Sequence, residues 1–217
     1  MSLQRGKVLD LDISSEGLQG TTKFKDKTPY ENNGTLSNVT LTTDRKGKAN
    51  SAGLLNGTDS YIDCGNGSSL NVNNITISAW IYPTLIGGSR HYRILSKNGT
   101  TGYLLNIYAS TLEIYLGGQK VVIKNNMTIS KWYHIVVTAN SGGNAVSYID
   151  GLFNNSTPLT GNINGGTSVL KISESVNSFM GSIERPQIWN RALSADEVKL
   201  LFSSYNPCLM IVKGGIG

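Results

Sequence analysis

Short stretches in which apolar and polar residues alternate recur along the chain, and a period of two predicts β-strands. Every second residue from Leu9 to Ile13 is apolar and the two between them are aspartates, which predicts a half-buried strand over residues 7–13. In residues 75–82 both alternating faces carry apolar bulk, which predicts a strand buried between two layers. Further strands are predicted at 52–56, 61–64, 93–96, 102–108, 111–116, 120–123, 132–139, 145–149, 152–155, 169–172 and 180–189.

The segments between the strands carry turn and helix signals. Asn56-Gly57 and Asp150-Gly151 are dipeptides typical of two-residue β-hairpins, and residues 14–34 are predicted as turns. Helical spacing of apolar residues occurs over residues 195–204, where Ser194 and Glu197 form a capping-box pattern at the start. Many short strands joined by turns, with one short helix, predict a two-sheet sandwich or jelly roll.

Composition and charge agree with this fold class and exclude several functions. The chain has 217 residues and 25 glycines, and only 15% of the residues are charged. The net charge of +5 is mildly basic, and the lysines are mostly scattered, so no nucleic-acid partner is predicted. No apolar run approaches the roughly 20 residues of a transmembrane helix, so no membrane span is predicted. No signal peptide is visible, because two aspartates interrupt the first apolar stretch.

The two cysteines are too few to form a metal site alone. Cys64 alternates with Ile62, which predicts a small buried apolar side chain. A disulfide between Cys64 and Cys208 is possible, but the sequence does not set the distance between them.

Several motifs, each weak alone, occur in an order that is specific together. They are Leu55-Asn56-Gly57-Thr58-Asp59-Ser60-Tyr61-Ile62, Ile75-Thr76-Ile77-Ser78-Ala79-Trp80-Ile81, Ile94-Leu95-Ser96-Lys97, Trp132-Tyr133-His134-Ile135-Val136-Val137-Thr138, Tyr148-Ile149-Asp150-Gly151 and the ending from Gly181 to Glu197. From about Lys7 to Tyr205 the chain therefore resembles the laminin-G-like domains of the concanavalin-A-like lectin/glucanase class. The resemblance implies an all-β, two-sheet antiparallel jelly-roll sandwich with one short C-terminal helix. It implies one domain over residues 1–206, followed by a short apolar and glycine-containing tail over residues 207–217.

One departure from the family pattern bears on the sheet. Arg185-Pro186 stands where the family usually has an acid and a valine. Because proline lacks the N–H that a ladder needs, the strand that contains Pro186 is predicted at a sheet edge.

The resemblance implies binding rather than catalysis. The related glycanases carry three acids in an E-x-D-x-x-E pattern, whereas Glu113, Glu174 and Glu184 are solitary here. We predict a non-catalytic carbohydrate-binding or adhesion domain, exposed outside the cell, at the cell surface or on a virion. The alternative is a structural or assembly protein, such as a virion, capsid-decorating or tail surface protein, which uses the jelly roll for contacts with other protein chains.

Sugars stack on aromatic rings while polar groups fix their hydroxyls, so a basic and aromatic segment is the best candidate for the ligand site. Residues 85–93 form such a segment, and tyrosines follow on the next strands. The predicted ligand-binding residues are Arg90, His91, Tyr92, Lys97, Tyr103 and Tyr115. The alternative is that these tyrosines pack the faces of the sheet.

Two acids match family acid positions and are the candidate ligands of a structural calcium ion. They are Asp26 and Glu184, and the alternative is an exposed acid or a turn cap. Lys23, Lys25 and Lys27 alternate, so they line one face of an extended segment, where they hold an anionic glycan or protect an edge strand.

Overall fold

The computed structural model describes residues 2–205, and within them the chain forms two antiparallel β-sheets and one C-terminal helix. The strands are β1 Lys7–Asp10, β2 Leu18–Gln19, β3 Lys23–Phe24, β4 Gly34–Ser37, β5 Thr40–Thr42, β6 Ala52–Asn56, β7 Tyr61–Asp63, β8 Asn74–Pro83, β9 His91–Lys97, β10 Tyr103–Tyr108, β11 Thr111–Leu116, β12 Gln119–Lys124, β13 Tyr133–Asn140, β14 Asn144–Ile149, β15 Leu152–Pro158, β16 Leu170–Ser173 and β17 Met180–Trp189. Helix α1 spans Ala195–Tyr205, and single 3-10 turns lie at Ser68–Leu70 and Gly99–Thr101. The all-β, two-sheet prediction with one short helix is confirmed.

The first sheet has the strand order β15-β14-β13-β8-β17-β6-β5, with β1 paired to the second half of β17. The second has the order β12-β11-β10-β9-β16-β7-β4-β3-β2. The inner faces of the two sheets enclose the main apolar core. Seven of the fifteen neighbouring strand pairs are not consecutive in sequence, so side chains from distant segments meet on each face.

Helix α1 covers the outer face of the first sheet. A second apolar cluster lies there, formed by Trp80, Val136, Tyr148, Trp189, Leu193, Val198, Leu201 and Tyr205. Both faces of β8 are therefore buried, as the sequence predicted. Ser194 and Glu197 form the predicted capping box, because Ser194 N donates to Glu197 Oε2 at 3.0 Å and Glu197 N donates to Ser194 Oγ at 3.3 Å.

The prediction that Pro186 marks an edge strand is wrong. Strand β17 lies inside the first sheet, with β8 on one side and β6 and β1 on the other. The ladder with β8 shifts register between Glu184 and Gln187, and Arg185 has a φ of 51°. A bulge at this point accommodates the missing N–H, which is the other position at which sheets accept proline.

The two hairpin predictions had opposite outcomes. Asp150-Gly151 joins β14 and β15 as an antiparallel hairpin, and both residues have positive φ as a type I′ turn requires. Asn56-Gly57 does not join a hairpin, because β6 lies in the first sheet and β7 in the second. The Asn56 side chain instead accepts hydrogen bonds from three backbone N–H groups of residues 58–60 and shapes a loop that crosses between the sheets.

The N-terminal region also differs from the prediction. Strand β1 ends at Asp10 and is buried on both faces, so the expectation of a half-buried strand is wrong. Asp10 is buried because Lys7 Nζ and Gln187 Nε2 bond its two oxygens at 2.9 and 2.8 Å. Strands β2 and β3 lie within the region predicted as turns, and β4 and β5 were not predicted.

Cys64 is buried, as predicted, and burial raises the pKa of its thiol. Its possible partner Cys208, the tail over 207–217 and the domain end at 206 lie outside the described residues. Within residues 2–205, no helix has the length and apolar character that crossing a membrane requires.

Candidate ligand-binding face

The outer face of the second sheet carries polar and aromatic side chains. Strand alternation sets this pattern: Tyr103, Leu105 and Ile107 of β10 enter the core, so Asn106 and Tyr108 face outward. We call the outward-facing set the polar belt. It comprises Tyr61, His91, Arg93, Tyr108, Tyr115, Lys120, Lys171 and Glu174, and Asn106 and Glu113 lie buried beneath it.

A small polar pocket opens in the middle of the polar belt. It has a volume of about 200 Å³, and we call it the Arg93 pocket; it is lined by Arg93, Ser96, Asn98, Gly99, Ser168, Val169, Lys171 and Glu174. Drug-sized ligands occupy pockets of about 300–1,000 Å³, so this pocket suits one small polar group such as a sugar ring.

The ion pairs in the Arg93 pocket are loose. Arg93 Nη1 lies 3.8 Å from one oxygen of Glu174, and Lys171 Nζ lies 3.8 Å from the other. Charge-assisted hydrogen bonds are about 2.7–2.9 Å long, so neither cation bonds the carboxylate directly. The Nε atom of Arg93 is buried and has no hydrogen-bond partner among the described residues. Two cations face one carboxylate at distances that leave the donors of the Arg93 guanidinium end and of the Lys171 ammonium without a direct hydrogen bond to it.

Aromatic rings flank the Arg93 pocket on both sides. The rings of His91 and Tyr108 stack with centroids 4.5 Å apart. On the other side the ammonium of Lys171 lies 4.7 Å from the ring centroid of Tyr61. Aromatic surface beside cations and a carboxylate is the mixed lining that carbohydrate recognition requires.

A buried hydrogen-bond network connects His91 to Asn106 and Glu113. His91 Nδ1 lies 2.8 Å from Asn106 Oδ1, and Asn106 Nδ2 donates to Glu113 Oε1 at 2.9 Å. Lys120 Nζ lies 3.5 Å from the other oxygen of Glu113. Asn106 and the Glu113 side chain are 0% and 2% exposed, so these two members of the network are buried.

Of the six predicted ligand residues, three lie at or near this face. His91 and Tyr115 belong to the polar belt, and both are partly exposed. Arg90 lies just before β9, where it donates to the backbone oxygen of Gly57 and lies 5.5 Å from the ring centroid of Tyr92.

The other three point into the protein. Tyr92 is 4% exposed, and Tyr103 is fully buried, with its hydroxyl donating to Leu70 O at 3.1 Å. Lys97 is also fully buried, and its ammonium donates to Asn66 Oδ1 at 2.6 Å and to Ser168 O at 2.5 Å. Burial lowers the pKa of Lys97. These three side chains do not present a surface to a ligand.

The two predicted metal ligands have separate partners in the structure. Asp26 accepts hydrogen bonds from the backbone N–H groups of Asp10, Thr28 and Asn32 and from the Thr28 hydroxyl. Glu184 pairs with Arg45 at 2.5 Å, and burial raises its pKa although Arg45 acts in the opposite direction. Within residues 2–205, no group of three or more His, Cys, Asp or Glu residues could hold a metal ion. Calcium binding by Asp26 and Glu184 stays an untested prediction.

The sequence did not indicate that Tyr61, Arg93, Lys171 and Glu174 belong to the site. These residues lie on or next to β7, β9 and β16, which become neighbours only in the folded sheet. Alternation within each strand was the available signal, because Arg93 falls between the core residues Tyr92 and Ile94. Alternation does not say which strands pair.

A second surface feature is apolar. A groove of about 550 Å³ runs between the β14–β15 hairpin and α1, and we call it the apolar groove; its lining includes Tyr148, Leu152, Phe153, Lys199 and Phe202. Leu152 and Phe153 at the hairpin tip are 74% and 65% exposed. Exposed apolar residues next to a groove mark a surface suited to contact with another molecule.

The comparisons with known proteins agree with this fold. A laminin-G model described as the Concanavalin A-like lectin/glucanases superfamily matches residues 56–199. No curated protein sequence matches the chain.

Solved structures that share this fold include toxin binding domains. The binding domain of Paraclostridial Mosquitocidal Protein 1 has a TM-score of 0.73 and 21% identity, over 94% of this chain and 53% of that one. The receptor binding domain of botulinum neurotoxin C/D mosaic serotype has a TM-score of 0.71 and 15% identity, over 93% and 52%. A structure of botulinum neurotoxin type C, described as dependent upon two ganglioside molecules to enter cells, has a TM-score of 0.70 and 18% identity, over 93% and 52%. The chain spans about half the length of these structures, and at these identities the likeness concerns the fold.

Proposed function

The chain belongs to the concanavalin A-like lectin/glucanase superfamily, and on that premise we propose that it is a non-catalytic carbohydrate-binding domain. The polar belt is the binding face, and the Arg93 pocket holds one sugar residue of the ligand. The flanking rings of Tyr61, Tyr108 and His91 contact the apolar faces of neighbouring sugars.

The observation that carries the proposal is the state of Arg93. Its Nε is buried without a partner, and its guanidinium lies 3.8 Å from Glu174. The Arg93 side chain is 31% exposed and its Nη1 lies too far from Glu174 for a direct hydrogen bond, so a ligand oxygen that accepts from Nη1 gains a charge-assisted hydrogen bond that the free protein lacks. Sugar hydroxyls and carboxylates supply such oxygens.

The known binding domains add support of a weaker kind. One of them is described by the dependence of its toxin on two ganglioside molecules, which are glycolipids, and another by its complex with SialylT. They share this fold at low identity. Exposure outside the cell is proposed on the same ground, because these relatives are receptor-binding domains of toxins.

The absence of catalysis is proposed from the state of the acids on the face. Glu174 faces two cations, and Glu113 is bonded to Asn106 and lies near Lys120. Hydrolysis of a glycoside needs two carboxyl groups free to act across the scissile bond. Glu113 is buried and hydrogen-bonded, so Glu174 has no second free carboxyl group on this face.

The test is a glycan array with and without a calcium chelator, followed by affinity measurements on the best ligand. Arg93→Met keeps the aliphatic stem and removes the guanidinium, and we expect affinity to fall about tenfold or more, as for a lost charge-assisted hydrogen bond. The matched control is Arg5→Met, an exposed arginine in the N-terminal segment before β1, for which we expect unchanged affinity. Binding by Arg93→Met at the wild-type level would move the site elsewhere, and a wild-type protein that binds no glycan would overturn the function.

A second candidate function is a structural or assembly role through protein contacts, and the apolar groove favours it. The exposed tip residues Leu152 and Phe153 lie on one wall of that groove. If the groove is a contact surface, the double variant Leu152→Ser and Phe153→Ser keeps its thermal stability and loses any self-association seen by light scattering. A wild-type protein that stays monomeric at all concentrations would argue against self-assembly through this surface.

A further inference from the structure

We infer that the Glu113–Asn106 pair holds His91 in a single tautomer, with the proton on Nδ1, and that His91 Nε2 accepts a hydrogen bond from a hydroxyl of the bound glycan. The second part rests on the proposed function, and the first does not. His91 is then a residue that determines specificity, and Asn106 and Glu113 are positioning residues.

Glu113 is buried beneath the polar belt, with 2% of its surface exposed. As a carboxylate it can only accept hydrogen bonds. Asn106 must therefore turn its Nδ2 toward Glu113, where the donor–acceptor distance is 2.9 Å. The orientation of the Asn106 amide, which is otherwise ambiguous, is fixed by this contact.

The orientation of Asn106 in turn sets the proton position on His91. With Nδ2 directed to Glu113, the oxygen of Asn106 faces the His91 ring, and it lies 2.8 Å from Nδ1. An amide oxygen only accepts, so Nδ1 must carry a hydrogen. In neutral imidazole the other nitrogen then has the free lone pair.

A half-turn of the ring about the Cβ–Cγ bond would place a carbon, Cδ2, against Asn106 Oδ1 and lose the hydrogen bond at Nδ1. The stack on Tyr108, with 4.5 Å between centroids, fixes the plane of the ring, and the strand neighbour Arg93 lines the pocket. Within residues 2–205 the structure gives Nε2 no protein partner. Nε2 is therefore the acceptor that His91 offers beside the Arg93 pocket, where Arg93 and Lys171 supply only donors. An acceptor at this point selects a sugar that presents a hydroxyl there.

The tautomer can be measured without any ligand by long-range ¹H–¹⁵N correlation NMR on the full chain, at a pH where the ring is neutral. The chain has only two histidines, so the His91→Gln variant assigns the signals. A histidine free of neighbours carries its proton mainly on Nε2, so we expect the opposite tautomer for His91. A proton on Nε2 in the wild-type protein would overturn the inference.

Two variants separate positioning from folding. Glu113→Gln has the same size but can present either an oxygen or an NH₂ group to Asn106, so we expect the tautomer to become mixed. Lys120→Gln removes the other partner of Glu113 and keeps the acceptor-only carboxylate, so the tautomer should stay as in the wild type. An unchanged tautomer in Glu113→Gln, with native thermal stability, would contradict the positioning role.

The recognition step is tested with the best glycan from the array and its monodeoxyfluoro derivatives, which accept but do not donate at the substituted position. We expect one derivative to bind about fivefold more weakly than the parent glycan, as for one lost hydrogen bond. His91→Gln, whose side-chain oxygen can stand near the place of Nε2, should keep that sensitivity, and His91→Ala should lose it. If His91→Ala discriminates the derivatives as the wild type does, His91 does not read the hydroxyl. A wild type that binds no glycan overturns the proposed function and this recognition step together, while the tautomer result stands alone.

Discussion

Replacement of Glu197 by glutamine tests the energetics that attach helix α1 to the sandwich. Glu197 receives a bidentate contact from Arg191, whose Nη1 and Nη2 each lie 2.8 Å from one of its oxygens. The N–H of Ser194 donates to the same carboxylate at 3.0 Å. The hydrogen bond from Arg191 is the main reason that the pKa of Glu197 is lowered from 4.5 to about 2. The side chain of Glu197 is only 9% exposed, so solvent screens this contact weakly.

Proton linkage gives the size and the sign of the change in the free energy of unfolding. A carboxyl group with a lowered folded-state pKa stabilises the fold above its unfolded pKa, and this contribution is lost as the pH falls through the folded value. A pKa change from 4.5 to about 2 corresponds to about 3 kcal/mol at neutral pH. Glu197→Gln should therefore lower the free energy of unfolding by about 2–3 kcal/mol at pH 7, and the difference from wild type should shrink between about pH 4.5 and pH 2.

Urea unfolding followed by tryptophan fluorescence measures this difference, because Trp80 and Trp189 lie in the cluster that α1 covers. The control is Asp196→Asn, which removes an exposed carboxylate from the same helical turn. Its effect should stay below about 1 kcal/mol, the range of an exposed charge near a helix N-terminus. A gap between Glu197→Gln and wild type that is the same at pH 7 and pH 2.5 would refute the reasoning.

Three further changes have expected outcomes from the structure. Tyr103→Phe removes a hydroxyl that donates to a buried carbonyl, so it should lower the free energy of unfolding by about 1 kcal/mol and leave glycan affinity unchanged; a loss of affinity alone would contradict the buried placement. Gly151→Ala places a Cβ 2.7 Å from the Phe202 ring at a φ of +77°, so it should lower the thermal midpoint, with a cost of about 1–2 kcal/mol from the backbone alone. Arg45→Met leaves Glu184 buried without its partner, so it should cost about 3–5 kcal/mol at pH 7, and less in acid, where the carboxyl is protonated. Thermal unfolding of Arg45→Met and wild type at pH 7 and in acid measures this difference. An equal loss of stability under both conditions would count against the prediction.

The sequence predicted most strands well where alternation continued over five or more residues, and the exception is residues 7–13, of which only Lys7–Asp10 form a strand. Residues 111–116 and 180–189 are strands with the predicted bounds, because each alternates against an apolar core. Strands β2 and β3 have two residues each, which is too short for a period of two to show. Lys23, Lys25 and Lys27 do alternate with buried residues, as predicted, although most of that segment is not in a ladder.

Pairing between strands was the part that local sequence did not contain. Asn56-Gly57 is a hairpin signal, but the flanking strands join different sheets because the core requires each to face inward from an opposite side. Pro186 is typical of an edge strand, and the sequence does not show the bulge at Arg185 that lets an inner strand accept it.

The ligand site shows the same limit. His91 and Tyr115 were predicted from their types and positions, and both are in the polar belt. Tyr103 and Lys97 have equally suitable chemistry, but strand alternation and the bulge in β9 turn them into the core. Arg93 and Glu174 approach each other only because β9 and β16 are neighbours in the sheet.

The pairing of β1 with β17 has a consequence for synthesis of the chain. Asp10 bonds Gln187, 177 residues away in sequence, and Val8 and Leu9 of β1 are fully buried only when β17 is in place. Strand β1 is synthesised early, and almost the whole domain must follow before its partner β17 is present. Such non-local pairing slows folding and leaves an open strand exposed to wrong partners in the meantime. A fragment limited to residues 56–199, the span that the family model matches, would also lack β1 and leave the second half of β17 without a neighbour on that side.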